Sequence, residues 1–281
     1  MTRDRERIGI VGLGAIGGSL ALALRDRQPL IAWSRDAADR AAARAAGIHV
    51  GTNEQSWPDE LAGSTVVVIA VPLDDVAGIL RRLLATLPDE SLILHASSLQ
   101  RRKALGLSDE EFGRILGTHP IAGSERSGFG AADSGRFRGA TVRAEARATH
   151  PQRRRIEMVW RTAGIERIAW SDAEDHDALM AWVSHLPQLA STALAAVLTA
   201  HGIARRDAGP GARDLTRLAS SDLSMWAPIL RHAPPATAEA VRSLTATLAG
   251  LAEALERGDE PAIEHAWVRA RAWRGSVETP T

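Results

Sequence analysis

Gly12-Leu13-Gly14-Ala15-Ile16-Gly17-Gly18-Ser19 decides the fold of this chain. It follows the apolar run Ile8-Gly9-Ile10-Val11 and leads into an alanine- and leucine-rich stretch at 20–24. That order reads as strand, tight turn, helix, and the spacing G-x-G-x-x-G fits a dinucleotide fingerprint. Gly12 makes the turn, Gly14 lets the backbone approach a pyrophosphate, and Gly17 lets helix and strand pack closely. The N-terminus of the helix then presents N–H groups and a partial positive charge to the phosphates. The expected cofactor site is Gly12, Gly14, Ala15, Ile16 and Gly17, with Val71 and Pro72 at the end of a later strand.

The next strand, at 29–33, should end at the residue that sorts NAD from NADP. An NAD site places an acid there to bind the ribose 2′-hydroxyl. Here the strand runs into Ser34-Arg35-Asp36, with serine at the acid's position and an arginine after it. A hydroxyl and a guanidinium attract a 2′-phosphate that a carboxylate would repel. This favours NADP. The competing reading, NAD with Asp36 supplying the acid and Arg35 in solvent, stays open.

Moving outward, the first half alternates strands and helices. Helix is expected at 37–46, ended by Gly47. The run Thr65-Val66-Val67-Val68-Ile69-Ala70-Val71, closed by Pro72, suits a strand buried in a parallel sheet. A helix at 75–87 puts Val76, Ile79, Leu80, Leu83 and Leu84 on one face. Further strands are expected at 91–95, 115–119, 139–143 and 165–169, with a helix at 151–164. From Asp172 the pattern becomes almost wholly helical, at 172–200, 212–218, 225–231, 235–258 and 261–273. The fold class is therefore α/β: a Rossmann-type doubly wound domain over 1–170, then an all-α domain over 171–281. Helices this long and apolar commonly bury one another across a two-fold axis, so a homodimer built on the second half is expected. Only the tail, 276–281, reads as disordered.

Bulk composition narrows the classes. With 281 residues the chain can form one large or two ordinary domains. Its 34 basic and 34 acidic residues cancel, which gives no support for nucleic acid or an anionic membrane as partner. It has no cysteine, so disulfides, thiolate metal sites and cysteine nucleophiles are excluded. No apolar run approaches the roughly 20 residues that span a bilayer. The charged start at 1–7 leads straight into a strand and does not read as a signal peptide. A soluble, cytoplasmic protein is expected.

Chemistry is most concentrated in Gly117-Thr118-His119-Pro120-Ile121-Ala122-Gly123-Ser124-Glu125-Arg126-Ser127-Gly128. Ligands of open parallel sheets bind outside the carboxyl ends of the strands, which places His119 beside a nicotinamide as a candidate general base. Ser98, in the Ser97-Ser98 pair after another strand, either orients that histidine or a substrate hydroxyl, or caps a helix. In the helical half, Asp175-His176-Asp177 precedes Ser184-His185-Leu186-Pro187-Gln188. The seven-residue spacing from Asp177 to Ser184 places both on one helix face. Their His and Asp spacing matches no zinc or iron pattern well, so no metal is expected. Arg213-Asp214-Leu215-Thr216-Arg217 offers either an Asp214–Arg217 surface pair or an Arg217 fork aimed at a substrate carboxylate.

In order along the chain, these motifs resemble the prephenate and arogenate dehydrogenase family of tyrosine biosynthesis. The resemblance rests on the glycine turn, on His119-Pro120-x-Ala122-Gly123-x-Glu125-x-Ser127-Gly128, on Phe137-x-Gly139-Ala140, on His176-Asp177 with Ser184-His185-Leu186-Pro187, and on Arg213-Asp214-x-Thr216-Arg217 with Met225-Trp226. It implies a homodimer that oxidatively decarboxylates prephenate or arogenate. His119 would take the proton of the ring hydroxyl as hydride passes to NAD(P), and Ser98 would hydrogen-bond that hydroxyl or His119. Arg217 would hold a substrate carboxylate, Arg213 would reach the partner's site, and Glu125 would gate the pocket. Ser124, His185 and Gln188 would line it.

The chain departs from the family pattern at two places. His95-Ala96-Ser97-Ser98-Leu99-Gln100 stands where Asp-x-x-Ser-x-Lys is usual, and Gln188 replaces a histidine. Arogenate, prephenate and a 4-amino analogue of prephenate all remain candidate substrates. No regulatory domain is expected after the helical half. A β-hydroxyacid-type dehydrogenase would share the glycine turn but relies on a lysine in the helical half, where this chain has none after Asp172. A non-catalytic dinucleotide sensor is the remaining alternative.

Overall fold

The computed structural model describes residues 6–52, 55, 57–106, 113–123 and 126–276. Seven strands form one sheet in the order β2-β1-β3-β4-β5-β6-β7. They are β1 (Ile8–Val11), β2 (Leu30–Trp33), β3 (Val66–Ile69), β4 (Leu92–His95), β5 (Ile115–Pro120), β6 (Thr141–Glu145) and β7 (Arg167–Ser171). All neighbours pair in parallel except β5 and β6, which run antiparallel through Thr118↔Ala144 and Pro120↔Val142.

Alternate residues of the strands feed two separate cores, as the two-residue period of a strand requires. Ile8, Ile10, Val66, Val68, Leu92 and Leu94 pack under α1 (Ala15–Leu24) and α6 (His150–Thr162). Val11, Val67, Ile69, Ile93 and Ile115 pack under α4 (Leu73–Thr86), whose Val76, Leu80 and Leu83 are fully buried. All four residues of β3 are inaccessible to solvent, which explains why that segment reads as one unbroken β-branched run. The remaining helices of this half are α2 (Ala37–Ala45), α3 (Trp57–Glu60) and α5 (Arg102–Leu105).

The helical half holds α7 (Ala173–Met180), α8 (Leu186–Ala200), α9 (Pro210–Leu215), α10 (Leu223–Arg231), α11 (Pro235–Arg257) and α12 (Glu260–Gly275). Two expectations need correction here. The single helix expected over 172–200 is interrupted by a π turn at Ala181–His185. Pro187 has no amide hydrogen and its ring crowds the carbonyl four residues back, so a widened turn just before it relieves the conflict. The extra residue breaks the seven-residue register. Asp177 is fully buried and Ser184 half-buried on either side of that shift. The helix expected at 212–218 ends at Leu215, and Arg217 begins a separate 3-10 turn, Arg217–Ser220. Residues 277–281 of the expected disordered tail lie outside the described residues. Among the described residues, no helix is long and apolar enough to cross a membrane.

Candidate active site

The glycine turn crosses the crevice between β1 and β3, where the strand order reverses and an open α/β sheet accepts ligands. Gly12 has φ +96°, and a Cβ there would lie 2.3 Å from the Ala70 carbonyl oxygen. A Cβ on Gly17 would lie 1.9 Å from the Gly12 carbonyl oxygen. Gly14 is different: a Cβ there would meet no described atom within 4 Å. It caps α1 without a side-chain hydrogen bond, and no acid sits in the first turn. Half-buried Gly14, Ala15 and Ile16 therefore leave open space at a helix N-terminus, which suits a pyrophosphate. Val71 is half-buried and Pro72 exposed at the start of α4, across the crevice from the turn.

Beyond β2, the Asp36 carboxylate caps α2 by accepting the Ala38 and Asp39 amides at 2.8 and 3.1 Å. The Ser34 hydroxyl accepts the Asp36 amide, and buried Arg40 donates to the Ser34 and Arg35 carbonyls. Arg35 is exposed and pairs with Asp75 of α4 at 3.0 Å.

Three segments distant in sequence meet at His119. His119 is half-buried in β5, and its Nδ1 lies 3.1 Å from Nε2 of His176 in α7. His176 is fully buried, with Nδ1 2.8 Å from Asp177 Oδ1. Asp177, also fully buried, is held by the loop after β4. It accepts the Gln100 amide at 2.8 Å, the Arg101 amide at 3.2 Å and Arg101 Nε at 3.0 Å. Burial of Asp177 favours its protonated form, but the bonds from His176, the Gln100 amide and Arg101 together outweigh that and hold its pKa below the usual carboxylate range. Burial, reinforced by the neighbouring His176, pushes the His119 pKa down to about 3, so its imidazole is neutral at pH 7. Ser98 is half-buried just beyond β4.

His95, at the family's acid position, is fully buried at the end of β4, and neither ring nitrogen has a partner among the described residues. Burial, with smaller contributions from His176 and Arg147, lowers its pKa from 6.5 to about 3. The unfolded chain thus binds a proton at each of His95 and His119 between pH 6.5 and about 3 that the folded chain refuses. Their contribution to stability is complete above pH 6.5 and is lost as pH falls through that window. The melting temperature should fall on going from about pH 7.5 to about pH 5.5, and His95→Leu should lose less over the same interval. An equal fall in both proteins would show that His95 is not the responsible group.

Other expected site residues lie on the helical half. His185 is buried against α11, with Nδ1 2.9 Å from the Thr237 hydroxyl, and burial lowers its pKa. Gln188, expected to face a substrate, is buried and ties α8 to the turn that carries Arg217. Its Nε2 donates to the Leu218 carbonyl at 2.8 Å, and its Oε1 accepts from the Ser221 hydroxyl at 3.3 Å. The Ser191 hydroxyl accepts the Ala219 amide of the same turn. Arg213 and Arg217 are both exposed. Ser124 and Glu125 lie outside the described residues.

The sequence reading did not anticipate Arg101 and the Gln100 amide as anchors of Asp177. Nothing in residue type marks a backbone amide as a donor to a buried carboxylate, and only the adjacent His176-Asp177 pair was a visible signal.

A glycine turn at the β1–β3 crevice, with a histidine–carboxylate chain at the end of β5 in the same sheet, is the arrangement of a nicotinamide-dinucleotide-dependent dehydrogenase. Residues 20–159 match the model of the prephenate dehydrogenase nucleotide-binding domain, and residues 172–268 that of the prephenate dehydrogenase dimerization domain. The chain belongs to the prephenate dehydrogenase family. It is 25% identical to prephenate dehydrogenase of Lactococcus lactis over 97% of its length and 78% of that protein's. It is 31% identical to a probable prephenate dehydrogenase of Streptomyces niveus, covering 88% of this chain and 68% of the relative. It spans 65% of the prephenate dehydrogenase of Bacillus subtilis, at 27% identity over 83% of this chain. Among solved structures, the prephenate dehydrogenase of Aquifex aeolicus, in complex with hydroxyphenyl propionate and NAD+, shares the fold with a TM-score of 0.87 at 23% identity, covering 98% of this chain and 99% of that one.

Proposed function

We propose that this protein oxidatively decarboxylates prephenate or arogenate, with hydride transfer to NAD(P). The observation that carries the reading is a neutral histidine, His119, held by a buried carboxylate chain in a family member whose glycine turn leaves room for a pyrophosphate. Gly12, Gly14 and Gly17 with the first turn of α1 hold the dinucleotide, which supplies the hydride acceptor. His119 accepts the proton of the ring 4-hydroxyl as the hydride departs from the same carbon. The bond to the ring carboxylate breaks, carbon dioxide leaves, and its electron pair completes the aromatic ring. The proton then returns from His119 to the phenolic oxygen, so no net proton is released. Ser98 orients the hydroxyl, and Arg217 is a cation for a substrate carboxylate. The family resemblance assigns Ser124, Glu125, His185 and Gln188 to substrate binding and Arg213 to the partner's site.

A homodimer is the expected assembly. Helix α12 buries none of its residues within one chain, and Trp267 and Trp273 on it are 61% and 80% exposed. A second copy covering this helix would remove that apolar surface from water. The protein is read as cytoplasmic, without nucleic acid or membrane as partner.

NADP is the favoured cofactor. Asp36 is engaged as the cap of α2, which leaves Ser34 at the end of β2 and Arg35 one residue on. The exposed Arg35–Asp75 pair is worth about 0–1 kcal/mol, so a 2′-phosphate can compete for the guanidinium. Arg35→Ala should lower the NADP/NAD ratio of kcat/KM about tenfold, the loss of one charge-assisted contact. An unchanged ratio would remove Arg35 from cofactor selection.

The test of the whole reading is to offer prephenate or arogenate with NAD or NADP and to follow reduced nicotinamide and the aromatic product. Turnover with one pairing establishes reaction and substrate together. Dinucleotide binding without turnover on either would overturn it and favour the 4-amino analogue or a sensor.

A further inference from the structure

Burial beside His176 holds His119 near pKa 3, neutral at pH 7 but a weak acceptor if it acts alone. The geometry around it resolves this. Asp177 is an ionised carboxylate that only accepts hydrogen bonds, and its partners Gln100 N–H, Arg101 N–H and Arg101 Nε–H are all donors. His176 Nδ1, 2.8 Å from Asp177 Oδ1, must therefore carry hydrogen, and in a relay its Nε2 is the acceptor. That Nε2 faces His119 Nδ1 at 3.1 Å, so Nδ1 of His119 carries hydrogen in turn, and Nε2 becomes the acceptor of the reactive ring. The order of donors runs in one direction from a buried carboxylate to the atom that meets substrate.

We propose that His176 is a positioning residue and proton relay for His119, with Asp177 as its anchor and Arg101 fixing Asp177 to the loop after β4. This deepens the reading above and rests on His119 being the base.

The step balances. His119 Nε2 gains the hydroxyl proton, and the Nδ1 hydrogen of His119 passes to His176 Nε2. His119 is then neutral with its hydrogen on Nε2, and His176 is an imidazolium beside the Asp177 carboxylate. The positive charge formed by base catalysis therefore rests one ring away from substrate, next to a buried negative charge. Both transfers reverse when the proton returns to the phenolic oxygen. Among the described residues, the other charged or titratable groups acting on His119 are His95 from β4 and Arg143 from β6; both disfavour a cation on His119 itself, which strengthens the case for moving the charge to His176.

The relay can be read without turnover. Nitrogen-15-labelled histidine in the NAD+-bound protein, followed by long-range proton–nitrogen correlation, reports which ring nitrogen holds hydrogen; His119 and His176 are assigned by the signals lost in His119→Asn and His176→Asn. Both rings should be in the Nδ1–H form. His119 in the Nε2–H form would overturn the proposal, whether or not prephenate proves to be the substrate.

Kinetics supply a second arm on the substrate that turns over. His176→Asn should lower kcat on the order of 10²-fold with dinucleotide affinity unchanged, comparable to losing the orienting partner of other catalytic histidines. In the His119→Asn background the same change should have almost no further effect, because a relay with no base to serve is idle. A full additive loss in the double variant would show that His176 merely supports the fold, and would also overturn the proposal.

Discussion

His119→Asn should lower kcat by about 10²- to 10⁴-fold, the usual contribution of a positioned general base, while dinucleotide affinity stays within about twofold. The reason lies in where the residue sits. His119 is the fifth residue of β5, and its ring meets His176 at 3.1 Å, away from the glycine turn on β1. Asparagine approximates the donor at Nδ1 but has no basic nitrogen, so the hydroxyl proton has no acceptor. The loss should fall on kcat and kcat/KM together, as for an interaction made only in the transition state. Steady-state kinetics and dinucleotide titration on the same preparation check it. Unchanged turnover would remove His119 as the base and, with it, the proposed chemistry.

Gly17→Ala should abolish dinucleotide binding, and with it all turnover, in protein that is also less stable. The added Cβ would lie 1.9 Å from the Gly12 carbonyl oxygen and 3.1 Å from the Ala70 Cβ. The first of these is backbone, so no side-chain rotation relieves it, and α1 must move away from the β1 turn. Overpacking of this kind costs about 1–3 kcal/mol or more. It also shifts the first turn of α1, whose amide groups face the open space at Gly14. Gly14→Ala is the contrast: its Cβ meets no atom of the described residues within 4 Å, so the fold should keep its melting temperature while the dinucleotide loses affinity to the intruding methyl. A Gly17→Ala protein that binds dinucleotide normally would show that the turn tolerates displacement and does not form the pyrophosphate site.

Much of the first half was legible because its signals are local. The alternation Val66/Val68 against Val67/Ile69 follows from the two-residue period of a strand, and both faces proved to be core. Helix ends at Gly47 and Gly258 were readable because a positive φ, here +79° and +63°, favours glycine. The antiparallel turn of direction between β5 and β6 left no comparable mark, since each strand alone looks the same in either orientation. The π turn at Ala181–His185 was missed for a related reason. Pro187 was visible, but proline at the first turn of a helix is as often a start as a disturbance.

The candidate site divides in the same way. His119, His176 and Asp177 each stood out by residue type and motif, yet nothing in their order along the chain joined them. Gln188 read as a pocket residue from its place after Leu186-Pro187, and the fold uses its amide to hold the turn of Arg217 against α8.

By itself the sequence determined the glycine turn, the strand–helix alternation, the helical second half and the identity of the histidine at a strand end. Those follow from φ sign, side-chain period and residue chemistry, all properties of neighbours in the chain. Only the tertiary structure decided that His119 meets His176 from 57 positions away and that the amides of Gln100 and Arg101 hold Asp177 across 77 and 76. Proton order along that chain depends on distances between ring nitrogens and on backbone donors common to almost every residue. Neither is written in residue type, so the direction of the donors became readable only once the β4 loop, β5 and α7 were packed together.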